Sequence, residues 1–347
     1  LFRSPIDPKA VVKMSVAKVL NLPEKLIRWI SDFLNTRSVK VAVHGHLSSP
    51  FTPTAGVPQG SPLSPLLYII YTSHLTTVAQ GTECSLFADD TALWCTGPSV
   101  KTATQKLQKA LDLFYKDCCK WRIKLNAAKT QLILFRPPYV RKFIDTSPVL
   151  TLQGVPIHAQ TKARFLGVTF DQILSFCPHA AEVRTKTGPI SHMLRALRYG
   201  GGAERSLLTL YKTHILPIIT YGATALVCSS KAARESLERA QNQAFRMVGR
   251  FPPGSKQAFL LSHYRLKTIH KLQTESCQNF YYRAQQTNAT HILECEDTHR
   301  YNVQGVRRRK THQTPLSIIF NHWDQTHMYP FLSHPCIFLL LTYPHIY

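Results

Sequence analysis

A chain of 347 residues with 44% hydrophobic residues is long and apolar enough for two or three compact subdomains, which excludes a disordered polypeptide. Its 42 lysines and arginines against 19 aspartates and glutamates give a net charge of +23, which favours nucleic acid over an anionic membrane as partner. No segment is long enough to cross a bilayer, and nine cysteines without a C-x-x-C pair are typical of free thiols inside cells.

The first half of the chain predicts alternating helices and hairpins. Apolar residues at helical spacing predict a helix within 14–34, and alternating valines predict a hairpin within 38–49. A Gly/Pro-rich loop leads into an apolar helix, and residues 99–126 contain the clearest amphipathic helix. Its apolar face is predicted to carry Leu107, Leu111, Phe114 and Cys118. Residues 129–135 and 164–171 predict further strand segments.

The second half is predicted to be mostly helical from residue 179 to about 250, with interruptions at YGGGAERS and Pro217. Beyond Phe251 the pattern weakens, and the last forty or so residues have too little periodicity to predict structure. His291, Cys295 and His299 are spaced four apart, but three ligands without a fourth make a weak zinc motif.

Two adjacent aspartates stand between short apolar runs in the segment SLFADDTALW, residues 85–94. Apolar runs that meet at a polar dipeptide predict a β-hairpin with Asp89 and Asp90 at its turn. Aspartates are common in turns because their side chains bond the local backbone, and this accounts for most such pairs. The alternative is a cation site, because neighbouring carboxylates repel each other unless a metal or a basic group compensates.

A second signal is the loop AGVPQGSPLSPLLY, residues 55–68, which opens a helix. Gly60 permits backbone geometries that are closed to other residues, Pro58 stiffens the loop, and Gln59 offers both a donor and an acceptor. Such a loop suits close approach to a phosphate or a base edge. Taken alone, an ordinary Pro/Gly connector before a buried helix is the simpler interpretation.

Taken together, these motifs resemble the reverse transcriptase domain of non-LTR retrotransposons, the jockey-like LINE group. The loop resembles that family's nucleotide- and template-contacting segment. FADD, whose Asp89 comes thirty residues after Gln59, resembles its catalytic hairpin. CKWRIKLNAAKTQLILF resembles the next motif, and FLGVTFD resembles the primer-grip hairpin. LYKTHILPIITYGATAL and LERAQNQAFRMVGRF resemble the thumb and its continuation. The resemblance is colinear from about residue 6 to 250, and the ordered set is far more specific than any single motif.

The resemblance implies an α+β fold. It consists of a right-hand polymerase palm, with an antiparallel sheet and packed helices, followed by a helical thumb. The implied segments are a partial palm (1–145), a primer-grip-like β segment (146–178), a helical thumb or connection (179–250) and a partly irregular C-terminal region (251–347).

The resemblance also implies roles for individual residues. In RNA-directed DNA polymerases two divalent cations, Mg²⁺ or Mn²⁺, assist nucleotidyl transfer, and Asp89 would bridge them with Asp90 assisting. Lys129 would contact the triphosphate or protonate pyrophosphate, although a surface lysine before a strand explains it equally well. The implied nucleotide- and template-binding residues are Pro58, Gln59, Gly60 and Ser61, and the implied primer-grip residues are Phe165, Leu166 and Gly167. The implied partners are an RNA template, a DNA primer and deoxynucleoside triphosphates, in the cytoplasm or nucleus and away from membranes.

One carboxylate of the implied metal site has no match. The family takes it from an earlier strand with the motif D-x-x-x-A-F-D, in which Asp7 matches the second aspartate and Leu1 stands where the first belongs. We therefore expect an N-terminally truncated and inactive polymerase. The alternative is a catalytically silent nucleic-acid-binding remnant of a transposable element. A basic helical scaffold unrelated to polymerases would leave the order of the motifs unexplained.

Overall fold

The computed structural model describes residues 23–35, 37–52, 57–58, 60–79, 81–121, 123–136, 147–287 and 336–342. They form two compact units. Unit 1 contains the described residues up to Ala163 together with 336–342, and unit 2 contains those from Arg164 onward to 287. The division between the units does not coincide with the boundaries at 145, 178 and 250, and those functional segments stay a prediction.

Unit 1 combines a sheet with three helices and a small hairpin. Its helices are α1 (Glu24–Asn35), α2 (Leu63–Thr72) and α3 (Val100–Lys120). Its strands are β1 (Ala42–Val43), β2 (His46–Leu47), β3 (Glu83–Phe87), β4 (Asp90–Thr96), β5 (Gln131–Phe135), β6 (Val149–Leu152), β7 (Val155–Gln160) and β10 (Cys336–Thr342). Short 3₁₀ turns at Ser73–Thr77 and Ala127–Lys129 follow α2 and precede β5.

The main sheet has six strands in the order β3-β4-β10-β5-β7-β6. All of its pairs are antiparallel except β5–β7, in which Leu132 lies opposite Ala159 in parallel register. The α+β class is therefore confirmed, but the prediction of an antiparallel sheet is wrong, because the sheet is mixed. Periodicity reports which face of a strand is buried but carries no information about the direction of its neighbour, so this pair could not be predicted.

The core of unit 1 lies between α3 and the sheet. Leu107, Leu111, Phe114 and Cys118 are completely buried, which confirms the predicted apolar face of α3. Ser99 caps the helix, because its hydroxyl accepts a hydrogen bond from the backbone N–H of Thr102. A second, smaller cluster joins α1 to α2 through Ile30, Leu34 and Leu67.

Strand β10 comes from the C-terminal region and lies between β4 and β5. Ile337, Leu339 and Leu341 point into the core and are completely or almost completely buried. The sequence had too little periodicity to predict structure in the last forty or so residues, which include this strand. Cys336–Thr342 forms an internal strand, and its continuous apolar run has no alternation from which a strand could be recognised.

Unit 2 begins in a two-stranded hairpin and continues as a helical assembly. The hairpin is β8 (Lys162–Phe165), which crosses the division between the units, and β9 (Val168–Asp171). Its helices are α4 (Cys177–Tyr199), α5 (Glu204–Leu210), α6 (Leu216–Thr220), α7 (Ala223–Leu226), α8 (Lys231–Gly249), α9 (Gln257–Tyr264) and α10 (Ile269–Gln286). A π-helical turn at Tyr211–Ile215 joins α5 to α6, and the core centres on Tyr211 and Phe245.

Two further helices, α9 and α10, lie beyond Phe251, where the sequence predicted little regular structure. Both bury few side chains, so their apolar periodicity is weak although their backbones are helical.

Among the described residues no helix is both long and apolar enough to span a membrane. The eight cysteines among all the described residues, from Cys84 to Cys336, are free thiols.

Candidate active site

The two aspartates lie at the tip of the β3–β4 hairpin, as the apolar pattern predicted. Phe87 pairs with Asp90, so Ala88 and Asp89 form a two-residue turn and Asp90 is the first residue of β4. Both aspartates are partly buried. The hairpin therefore holds two carboxylates on consecutive residues at one end of the sheet, where hard cations would find oxygen ligands.

The turn itself is held in an unusual conformation at Ala88, whose φ is 51°. Two-residue hairpin turns require positive φ at their first position, where glycine is the usual residue. An alanine there carries a conformational cost of about 1–2 kcal/mol, because its Cβ crowds the following carbonyl oxygen. Ala88 is exposed, so burial of its methyl group does not offset this cost.

We expect Ala88→Gly to stabilise unit 1 by about 0.5–1 kcal/mol, since relief of this strain exceeds the added entropy of the unfolded chain. The shift in the midpoint of urea unfolding measures the effect. Ala128→Gly is the matched control, because Ala128 is exposed and lies outside the positive-φ positions, so glycine should destabilise there. A lower midpoint for Ala88→Gly than for wild type would contradict this reading of the turn.

Helix α2 lies beside the aspartate hairpin. Burial, and secondarily the nearby Asp89 carboxylate, raise the pKa of Tyr68 on this helix to about 12. The Tyr68 hydroxyl oxygen is buried and has no hydrogen-bond partner among the described residues. The hydroxyl therefore stays protonated at neutral pH and retains an unused donor near Asp89. Sequence reasoning missed Tyr68, although it ends the motif that pointed to the loop.

The far end of α2 is anchored to the end of α3. The Tyr71 hydroxyl donates a hydrogen bond to the Trp121 carbonyl, and the His74 ring packs on the Trp121 ring with 4.4 Å between centroids. His74 Nε2 also lies 3.0 Å from Asp117 Oδ2. These contacts fix the helix that presents Tyr68.

The loop before α2 is described in part. Gly60 has a φ of 84°, which confirms that the loop needs glycine at this position. The Ser61 hydroxyl accepts a hydrogen bond from the Leu63 N–H, and the Ser64 hydroxyl donates to the Pro58 carbonyl, so the loop is tied to the start of the helix. Gln59 lies outside the described residues, so its implied role in nucleotide and template binding stays a prediction.

Lys129 lies at the same end of the sheet as the aspartates. It ends the 3₁₀ turn before β5, is exposed, and its N–H bonds back to Asn126. Asp90 is level with Thr342 of β10, and Gln131 is level with Leu340. Because β10 alone separates β4 from β5, the two strands begin about 10 Å apart. The structure thus brings Lys129 to the end of the sheet that carries the aspartates, while its role stays a prediction.

The strand beside Asp90 supplies no carboxylate. The sequence of β10 is CIFLLLT, and on the other side of β4 the acidic residue of β3, Glu83, pairs with Trp94 far from the turn. Within the described ranges no three His, Cys, Asp or Glu side chains are grouped to hold a metal ion. Asp7 and the weak zinc motif of His291, Cys295 and His299 lie outside the described residues.

The predicted primer-grip residues form the turn of the β8–β9 hairpin. Phe165 ends β8, and Leu166 and Gly167 form the two-residue turn. The φ angle is 46° at Leu166 and 80° at Gly167. The sequence predicted a strand segment with Gly167 in its middle, and the structure shows that the glycine marks the reversal of the chain. Tyr221, which sequence reasoning did not single out, packs on this turn.

Comparison with known proteins places these motifs in a family. Residues 12–170 match the family model described as reverse transcriptase (RNA-dependent DNA polymerase). The segment that matches contains the loop before α2, the aspartate hairpin and all of the β8–β9 hairpin except its last residue.

Curated relatives agree with this match. The chain is 29% identical over 247 residues to "RNA-directed DNA polymerase from mobile element jockey" of Drosophila melanogaster, covering 66% of this chain and 26% of that protein. It is 29% identical over 268 residues to "Probable RNA-directed DNA polymerase from transposon BS" of the same species, covering 74% of this chain and 29% of the relative. The jockey protein of Drosophila funebris is 31% identical over 191 residues, or 52% of this chain and 20% of its own length.

The chain thus spans less than a third of the length of these relatives. No solved structure matches it significantly. The ordered motifs, the family match and the jockey-type relatives agree, which confirms the resemblance predicted from the motifs: residues 12–170 are similar to a reverse transcriptase domain, and the relatives are jockey-type retrotransposon proteins.

Proposed function

We propose that this domain is the polymerase portion of a non-LTR retrotransposon protein, which copies RNA into DNA by two-metal nucleotidyl transfer. One observation carries the proposal: within the segment that matches the family, the β3–β4 hairpin holds Asp89 in its turn and Asp90 at the first strand position. The substrates that follow from this function are an RNA template, a DNA primer and deoxynucleoside triphosphates, in the cytoplasm or nucleus.

The residues at the hairpin fit part of a site for Mg²⁺ or Mn²⁺. Asp89 and Asp90 would hold the cation, since carboxylate oxygens are the ligands that hard divalent ions prefer. When bound, the cation stabilises negative charge on the reacting phosphates. Tyr68 has a buried hydroxyl with an unused donor close to Asp89, and donation to that carboxylate would orient it.

The remaining residues of the site would bind the nucleotide. Lys129 is an exposed cation at the same end of the sheet, suited to a triphosphate. The loop of Pro58, Gly60 and Ser61 is tied to the start of α2, and its glycine permits close approach of a base or phosphate. Gln59 would contact the template or nucleotide from the same loop.

Unit 2 supplies the charge for binding a nucleic-acid backbone. Its described residues 164–287 contain seventeen lysines and arginines against six aspartates and glutamates, a net formal charge of +11. Exposed cations follow one another along α4, where Arg184 and Lys186 precede Arg195. Such a surface binds phosphates with little regard to sequence and releases counterions on binding.

Binding to an RNA–DNA duplex is therefore expected to weaken by orders of magnitude between about 50 and 200 mM salt, with little sequence preference. Fluorescence anisotropy of a labelled hybrid across this range gives the slope of log affinity against log salt. Replacing Arg184 and Lys186 together by glutamine should reduce the slope by about two, one unit per lost phosphate contact. Glu235→Gln is the matched control, because Glu235 is an exposed charged residue on α8. This variant should leave the slope unreduced. Salt-independent binding, or none at low salt, would refute the proposed function.

A second candidate function is a catalytically silent remnant that binds nucleic acid with the same basic surface. It is favoured by the absence of a carboxylate in β10, the strand that lies beside Asp90. Both candidates predict the salt dependence, because both use unit 2 to bind the backbone. Only nucleotide incorporation separates them, since a remnant binds a primer without extending it.

A further inference from the structure

The turn of the β8–β9 hairpin is held in a conformation that one of its residues disfavours. Leu166 and Gly167 both have positive φ, 46° and 80°, the pattern of the tight turn that matches the twist of a hairpin. Glycine adopts this region freely, whereas leucine rarely does because its Cβ approaches the following carbonyl oxygen. Contacts from outside the turn must therefore hold Leu166 in place.

Tyr221 makes those contacts. Its hydroxyl donates a hydrogen bond of 2.7 Å to the Leu166 carbonyl. Its ring lies against Gly167, where an added Cβ would stand 3.0 Å from the ring atom Cε1 and 3.3 Å from the hydroxyl oxygen. One side chain therefore binds the carbonyl of the first turn residue and covers the backbone of the second.

Gly222 brings the Tyr221 backbone close enough for this arrangement. Its φ is 69°, and an added Cβ would lie only 2.7 Å from Cγ2 of Val168, the first residue of β9. Tyr221 directly follows α6 and Gly222 directly precedes α7, so both belong to a short joint between packed helices. The core residues Ile219 and Leu226 on either side of this joint are buried, which fixes it to the helical assembly.

The surroundings of the hairpin suit a polyanion. Arg164 on β8 is exposed. Burial lowers the pKa of His179, and the Glu182 carboxylate opposes that shift. Lys186 and Arg164 lie near enough to lower this pKa further. The hairpin therefore carries a fixed turn next to cations that a nucleic-acid backbone would neutralise. Tyr221 is itself 54% exposed, so an edge of its ring is accessible beside the turn.

We propose that Tyr221 is a positioning residue for the primer end: by fixing the turn of Phe165, Leu166 and Gly167, it sets where the hairpin backbone meets the terminal primer nucleotide. The inference rests on the proposed polymerase function and adds to it a residue outside the hairpin. Tyr221 need not touch the primer, because its hydrogen bond acts through the carbonyl of Leu166. The aromatic ring alone keeps the packing on Gly167, so Tyr221→Phe isolates the hydroxyl.

The test uses the 347-residue protein and a DNA primer that carries 4-thiothymidine at its 3′ end, annealed to an RNA template. After irradiation, mass spectrometry measures the cross-link yield in the peptide containing residues 162–171, and anisotropy measures total binding. Tyr221→Phe should lower the cross-link yield about fivefold, the loss expected for one hydrogen bond, with total binding unchanged within about twofold. Tyr199→Phe is the matched control, since Tyr199 is an exposed tyrosine of unit 2 whose ring lies against Arg250, and its yield should stay at the wild-type level.

Four results would overturn the inference. An unchanged cross-link yield in Tyr221→Phe means that the hydroxyl does not position the primer. A fall in the thermal midpoint of more than about 5 °C, with binding lost in parallel, means that the hydroxyl only supports the fold. If the wild-type protein binds the hybrid but cross-links outside the hairpin, the primer-end role fails while nucleic-acid binding stands. No binding by the wild type at low salt removes the proposed function as well.

Discussion

Replacing Leu339 by aspartate is expected to unfold unit 1. Leu339 is completely buried in the centre of β10, between Leu93 of β4 and Leu132 of β5, which are completely buried too. An unpaired carboxylate at this position costs several kcal/mol, either as desolvation of the charge or as the protonation that avoids it. The free energy of unfolding of small folded units is about 5–15 kcal/mol, so this substitution alone removes a large part of it.

Urea unfolding and limited proteolysis of unit 1 measure the effect of Leu339→Asp. Leu113→Asp is the matched control, because it makes the same substitution at an exposed position of α3 and should cost less than about 1 kcal/mol. Equal stability of the two variants would show that β10 does not occupy the centre of the sheet.

Primer extension by the 347-residue chain on poly(rA)/oligo(dT) is expected to be at least about 10²–10³-fold slower than by a longer polypeptide. The longer polypeptide would carry, fused upstream, the family's segment with the D-x-x-x-A-F-D motif. The reason is geometric, because two cations need carboxylates that converge from two strands. Among the described residues, the aspartate hairpin provides Asp89 and Asp90, and β10 beside it provides none. Loss of one preorganised charge-stabilising group typically costs this much in rate.

Two variants of the longer polypeptide make this test specific. Asp89→Asn should abolish incorporation, whereas Asp112→Asn, an exposed aspartate on α3, should leave it intact. If the 347-residue chain extends the primer at a rate close to that of the longer polypeptide, and Asp89→Asn still abolishes it, another carboxylate completes the site. The expected inactivity would then be wrong.

The elements that the sequence predicted well are those whose burial is one-sided. In α3 the completely buried residues Leu107, Leu111 and Phe114 repeat at helical spacing while the opposite face is polar. This pattern is sufficient to predict both the helix and its buried face. The aspartate hairpin was predictable for a related reason, because a polar pair between two apolar runs leaves few other geometries.

Other features depend on contacts that are distant in sequence. The apolar run of β10 is compatible with a buried strand or a helix segment, and only its neighbours β4 and β5 decide. Tyr68 carries no sequence mark that distinguishes it from a core tyrosine, since its unused hydroxyl and its proximity to Asp89 are properties of the packed structure. The same holds for Tyr221, whose partner Leu166 lies 55 residues earlier.

The place of β10 in the sheet has a consequence for how the protein is made. The end of β5 and the start of β10 are 201 residues apart, and the whole of unit 2 lies between them. At translation rates of about 5–20 residues per second, β10 is synthesised roughly 10–40 s after β5, and until then β4 and β5 lack the strand that lies between them. Unit 2, which is mainly helical, is expected to fold during this interval. Until β10 arrives, the open edges of β4 and β5 can pair with strands of other chains, so aggregation of nascent protein is a hazard built into this connectivity.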